Sequence, residues 1–136
     1  GQDPSFAVSG FARRIVAAQR SGAEELAVGN LDSRRDLTDV RDVVQAYRDL
    51  ALAGEPGQVY NICSGHDVAI SEILERLLAL AGADLRLVTD PNLVRGVDVT
   101  ALRGSADRLT AATGWKPQIP LQQTLTDVLE FWSQRE

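Results

Sequence analysis

The sequence predicts an α/β fold. Three observations carry that expectation: stretches with apolar residues every three or four positions, short runs of β-forming residues between them, and glycine or proline at most junctions. Alternation of this kind favours parallel pairing of some strands. The 136 residues, 44% of them hydrophobic, suffice for a single domain with its own core. A charged fraction of 24% is ordinary for a folded chain and argues against a disordered tract.

The elements follow in order. Residues 6–20 place Val8, Phe11, Ile15 and Ala18 on one helical stripe, and Ser21-Gly22 predicts the stop. Residues 26–28 read as a short strand closed by Gly29-Asn30. A second helix is predicted over residues 37–53, capped by Thr38 or Asp39, with Val40, Val43, Val44, Tyr47 and Leu50 as its buried face. Gly54 stops it, and Glu55-Pro56-Gly57 turns the chain.

Residues 58–64 (QVYNICS) read as a strand, because Val59, Tyr60, Ile62 and Cys63 are β-formers. Ser71 opens a third helix with the stripe Ile73, Leu74, Leu77, Leu78 and Ala81, and Gly82 closes it. Residues 85–89 make another short strand. Residues 90–104 lack a helical period and read as a strand flanked by loop. Ser105 caps a short helix ending at Gly114, and Pro117 and Pro120 bracket an extended stretch. Leu121, Leu125, Val128, Leu129 and Trp132 mark a last amphipathic helix.

Composition and motifs exclude several functions. A net charge of −5 argues against nucleic acid, which is bound through basic surface, but leaves room for a local anion site. The longest apolar run, residues 77–81, is far short of a membrane span. No basic flank and apolar stretch mark a secretory signal, and the single cysteine, Cys63, can form no internal disulfide; a reducing cytoplasm is expected. The first residue is Gly1 rather than Met, which predicts a processed product or a fragment. Gly54, Gly57 and Gly65 make neither a dinucleotide fingerprint nor a P-loop. His66 is the only histidine and Cys63 the only thiol, so no metal site or nucleophilic set is expected. His66 reads as a loop residue and Cys63 as a small buried hydrophobe.

Three segments say more in combination: residues 29–47 (GNLDSRRDLTDVRDVVQAY), 57–65 (GQVYNICSG) and 112–132 (ATGWKPQIPLQQTLTDVLEFW). In this order they resemble the C-terminal half of extended short-chain dehydrogenases/reductases that act on nucleotide sugars. The resemblance covers nearly the whole chain. It is greatest to the GDP-mannose 4,6-dehydratases and GDP-4-keto-6-deoxy-mannose reductases. The dehydratases typically read R-D-W-G-H where this chain reads Arg35-Asp36-Leu37-Thr38-Asp39, followed by Val40-Arg41-Asp42. That wording is closer to the reductases. A dehydratase, or another NAD-dependent sugar-nucleotide epimerase/dehydratase, is the alternative within the family.

The resemblance implies a fold: the C-terminal α/β part of such an enzyme, residues 1–136 forming one substrate-binding domain, without the N-terminal Rossmann half. That half carries the glycine-rich turn for the dinucleotide and the catalytic Tyr-x-x-x-Lys. Here Tyr47 is followed four residues on by Ala51 and Tyr60 by Ser64. The implied cofactor is NADP(H), held by the other half, with none on this chain, which alone is expected to be inactive. The implied partners are a GDP-sugar and the N-terminal Rossmann half, with no nucleic acid or membrane. Homo-oligomers stay open, since such enzymes commonly pair through helices of the other half.

A nucleotide-sugar diphosphate is an anion that the planar arginine fork suits. By resemblance, Arg35 matches one phosphate-binding arginine. Arg95-Gly96-Val97-Asp98-Val99 matches the R-P-x-E/D-V motif, in which Arg95 takes phosphate and Asp98 ribose hydroxyls. Gly96 replaces the usual proline. Ser9-Gly10 stands where the dehydratases have basic residues, and Ser9 and Phe11 are expected at the pocket entrance. Arg34, Arg41 and Asp42 are expected to hold the turn and the helix start, with Asp36 paired to one of these arginines. The competing expectation is a stand-alone, non-enzymatic domain that binds a nucleotide sugar or a partner.

Overall fold

The computed structural model describes residues 2–94 and 99–135. The element order is α1 (Ala7–Ser21), β1 (Glu25–Val28), β2 (Arg34–Asp36), α2 (Val40–Ala53), β3 (Asp67–Ala69), α3 (Ile70–Ala81), β4 (Arg86–Thr89), β5 (Ala101–Leu102), α4 (Asp107–Thr113) and α5 (Leu121–Ser133). A 3₁₀ turn, Pro91–Leu93, follows β4. The chain divides into two compact units. One comprises Gly1–Ser33, Ala69–Thr100 and Gln122–Glu136; the other comprises Arg34–Val68 and Ala101–Leu121. Among the described residues no helix is long and apolar enough to cross a membrane.

In the first unit, β1 and β4 pair in parallel, from Glu25 opposite Arg86 to Val28 opposite Thr89. Leu26 and Val28 point inward, and α1 lies against β1 and α3. The expected stripes of α1, α3 and α5 supply the core: Phe11, Ile15, Ile73, Leu74, Leu77 and Leu125 are buried. Trp132 Nε1 donates to Ser9 Oγ at 3.1 Å and fastens α5 to α1. Helix α3 begins one residue before the expected Ser71. Its cap, Ala69, has no side chain to offer; the amides of Ile70 and Ser71 donate to the carbonyls of Ser33 and Leu31 at 2.9 and 3.1 Å instead.

In the second unit the strand order is β3-β2-β5, with β2 and β5 parallel and Arg35 opposite Leu102. Helices α2 and α4 pack around Ala46, Leu109 and Trp115, flanked by Leu50, Tyr60, Ile62 and Ala106. Asp42 is buried here for a reason: its Oδ2 accepts the amides of Gln118 and Ile119 at 3.1 and 3.0 Å. Its carbonyl accepts Trp115 Nε1 at 3.0 Å. A carboxylate inside the unit thus satisfies backbone donors of the segment between the two prolines. Helix α4 is preceded by Ala106 rather than capped by the expected Ser105, because the helix starts one residue later; Ser105 Oγ still accepts the amide of Asp107 at 3.2 Å.

Three sequence expectations are corrected here. Helix α2 starts at Val40 rather than Leu37, because Asp39 Oδ1 takes the amide of Arg41 and fixes the cap there. Its apolar stripe is not a buried face: Val40, Val44 and Tyr47 are 70%, 61% and 63% exposed, while Asp42 and Ala46 turn inward. Residues 58–64 form no strand, since among the described residues no neighbour pairs with them. Their polar groups go elsewhere: Val59 O accepts Arg108 Nη1, and the amide of Ser64 donates to Asp36. The strands β2 and β3 carry charged and small residues, which gave no apolar alternation to read.

Candidate functional site

Strand β2 concentrates charge in three consecutive residues, Arg34, Arg35 and Asp36. Arg34 Nε meets Asp67 Oδ2 at 2.5 Å, and Arg34 Nη2 donates to the Asp67 carbonyl at 2.9 Å. Arg103 Nη1 lies 3.9 Å from Asp67 Oδ1. The hydrogen bond from Arg34 is the main reason that the Asp67 carboxyl is held below the usual carboxylate range. Arg35 is half-buried, and its Nη1 donates to the Arg34 carbonyl at 2.8 Å.

Asp36 is the knot of this unit. Its Oδ1 accepts the amide and the hydroxyl of Ser64 at 2.9 and 2.6 Å. Its Oδ2 accepts the amides of Gly65 and Gly104 at 2.9 and 3.3 Å. One carboxylate therefore ties β2 to the turn after residues 58–64 and to the chain leaving β5. Gly104 is required there: a Cβ at this position would stand 2.7 Å from Cys63 Sγ. Burial first, and the Asp36 charge second, push the Cys63 thiol above its ordinary pKa, so it stays a neutral packing group.

The sequence expectation that Asp36 pairs with an arginine is thus corrected. Asp36 takes backbone and hydroxyl donors, Arg34 pairs with Asp67, and Arg41 pairs with Asp39 at 2.8 Å. Asp67 and Asp36 are the polar anchors that spacing did not reveal. Their partners lie 28 to 68 residues away, beyond any local pattern.

The other expected site residues fall as follows. Arg95 and Asp98 lie outside the described residues. Ser9 and Phe11 belong to the first unit and are both buried. The Ser9 hydroxyl donates to the Gln2 carbonyl at 2.7 Å and accepts from Trp132, and the Arg14 guanidinium stacks 5.2 Å over the Phe11 ring. Chemically, β2 offers a fixed guanidinium, Arg35, on a strand whose register is locked from both sides. A guanidinium fork is the group that matches two oxygens of a phosphate.

The chain matches the family model described as GDP-mannose 4,6 dehydratase over residues 1–128. GDP-6-deoxy-D-mannose reductase of Pseudomonas aeruginosa is 42% identical over 136 residues, spanning 99% of this chain and 45% of the reductase. A solved structure of RMD from Pseudomonas aeruginosa complexed with NADPH shares 40% identity and a TM-score of 0.91, over 100% of this chain and 45% of that one. UDP-glucose 4-epimerase of Thermotoga maritima, solved with UDP-glucose, gives a TM-score of 0.84 at 26% identity, over 98% of this chain and 42% of the epimerase. The chain spans less than half the length of these relatives and corresponds to their C-terminal portion. The arginine-aspartate strand, the turn it anchors and the tryptophan-proline segment all fall inside the matched residues, and the chain belongs to the GDP-mannose 4,6 dehydratase family within the extended short-chain dehydrogenases/reductases.

Proposed function

We propose that this chain is the nucleotide-sugar-binding part of an NADP-dependent GDP-4-keto-6-deoxy-mannose reductase. The observation that carries the reading is the 42% identity to GDP-6-deoxy-D-mannose reductase across 99% of the chain. The Thr38-Asp39-Val40-Arg41-Asp42 wording points the same way. In this reading Arg35 and Arg95 bind the diphosphate and Asp98 the ribose hydroxyls.

The chain's own residues do not fit a dinucleotide. They include no G-x-G-x-x-G turn and no Tyr-x-x-x-Lys, so NADPH binding and the reduction of the 4-keto group fall to the remainder of the longer protein. What this part contributes is affinity and orientation for the sugar nucleotide. Its partner in that task is a Rossmann half. Two features of the second unit support such a partner: the exposed apolar face of α2 (Val40, Val44, Tyr47), and residues 59–63, whose amides have no partner among the described residues. A helix face without cover and a segment without backbone partners are what a sheet from elsewhere would complete.

The test is a calorimetric titration of the chain with GDP-mannose, GDP and UDP-glucose. The reading expects both guanosine ligands to bind and UDP-glucose to bind at least tenfold more weakly. No binding of GDP-mannose, or a preference for UDP-glucose, would refute it.

A further inference from the structure

The start of α1 and the end of β1 meet around one guanidinium. Arg14 Nε donates to the Gly10 carbonyl at 3.2 Å, and Arg14 Nη1 donates to the Ala27 carbonyl. The buried Phe11 ring lies 5.2 Å beneath its Cζ. These three contacts fix the plane of the fork, yet use two of its five N–H groups. Among the described residues no carboxylate pairs with Arg14. Burial alone pulls its pKa below the ordinary arginine value. A cation withdrawn from water is normally compensated by an anion.

The place matters as well. Ala27 is next to last in β1, and β4 runs parallel to it, so Arg14 stands at the carboxyl end of the pair. That is the end at which α/β folds receive ligands. The backbone there is fixed: the Asp90 amide donates to the Val28 carbonyl at 2.9 Å. The chain at Leu93 passes so near that a Cβ on Gly29 would stand 2.2 Å from the Leu93 carbonyl oxygen. The acid of this rim, Asp90, is turned to Asn92, whose amide and Nδ2 both donate to its Oδ1 at 2.9 Å. At the opposite end of the strands Glu25 already pairs with Arg86. Among the described residues Arg14 is left with a preorganised fork, three donors without a partner and no counter-charge.

We infer that Arg14 is an anion-binding residue at the carboxyl end of the β1–β4 pair, taking phosphate oxygens of a nucleoside diphosphate. The nucleoside part of that ligand rests on the proposed function above; the anion does not. The alternative is a clamp that only holds Ala27 to α1.

Calorimetry on the purified chain separates the two, with inorganic pyrophosphate and GDP as probes and Arg48→Gln as the control. Arg14→Gln keeps a donor able to reach a backbone carbonyl but removes the charge. It is expected to weaken both probes about tenfold, while Arg48→Gln changes neither. Arg14→Lys is expected to recover part of the loss. A folded Arg14→Gln chain that melts lower yet binds both probes as the wild type does would overturn the inference. So would a wild-type chain that binds neither probe. Should Arg14→Gln fail to fold, Arg14→Lys decides: a severalfold loss supports the inference and wild-type affinity overturns it. Pyrophosphate binding that depends on Arg14, with no preference for GDP over UDP, would uphold the anion site and refute the proposed function.

Discussion

Removing the carboxylate of Asp36 strips four donors of their acceptor at once: the amide and hydroxyl of Ser64 and the amides of Gly65 and Gly104. Asp36→Ala is expected to cost about 3 kcal/mol in urea unfolding, since several half-buried donors lose a charged partner. A loss under about 1 kcal/mol would mean that water replaces Asp36 without penalty. Asp67 governs the acid limb. Its carboxyl sits below the ordinary range because Arg34 donates to it. Its contribution is therefore complete above the usual carboxylate pKa of about 4 and is lost as pH falls through the lowered value. The stability of Asp67→Asn is expected to fall less steeply than that of the wild type below about pH 4; superimposable pH curves would contradict this. Neither role was legible in the sequence. The arginines around Asp36 suggested an ion pair, whereas the actual partners are backbone amides that composition does not show.

At the scale of elements, α1, α3 and α5 were legible because each buries its stripe against another element of this chain. Helix α2 was legible as a helix, but its stripe is exposed here. Residues 58–64 have the composition of a strand without a neighbour to pair with. Both misreadings have one physical root: burial and pairing depend on a second surface that local pattern does not contain. Hydrogen exchange is expected to reflect this, with amides 59–63 exchanging orders of magnitude faster than those of Ile73, Leu74 and Leu77 in α3. Equal protection would contradict the unpaired state. Val44→Ser and Tyr47→Ser should each change the stability of the chain by no more than about 0.5 kcal/mol, as exposed positions do. Melting curves of the two variants check that expectation.

For the whole molecule, the two compact units are joined by a sequence order that a family match explains and that composition did not. The α/β class was readable from alternation, and the family from three segments in their order. Arg95 and Asp98 lie outside the described residues, whereas Arg35 lies on β2. With no dinucleotide turn of its own, the purified chain is expected to leave NADPH unoxidised when a GDP-4-keto-6-deoxy sugar is supplied; measurable oxidation in a spectrophotometric assay would contradict that. The proposed role of Arg35, gripping the diphosphate of a GDP-sugar, is open to measurement. Calorimetric titration of GDP-mannose into the wild-type chain, Arg35→Ala, Arg35→Lys and the exposed control Arg48→Ala tests it most directly. The expected result is a loss of roughly ten- to a hundredfold for Arg35→Ala, partial recovery in Arg35→Lys, and wild-type affinity in Arg48→Ala. Equal, small effects at Arg35 and Arg48 would contradict it.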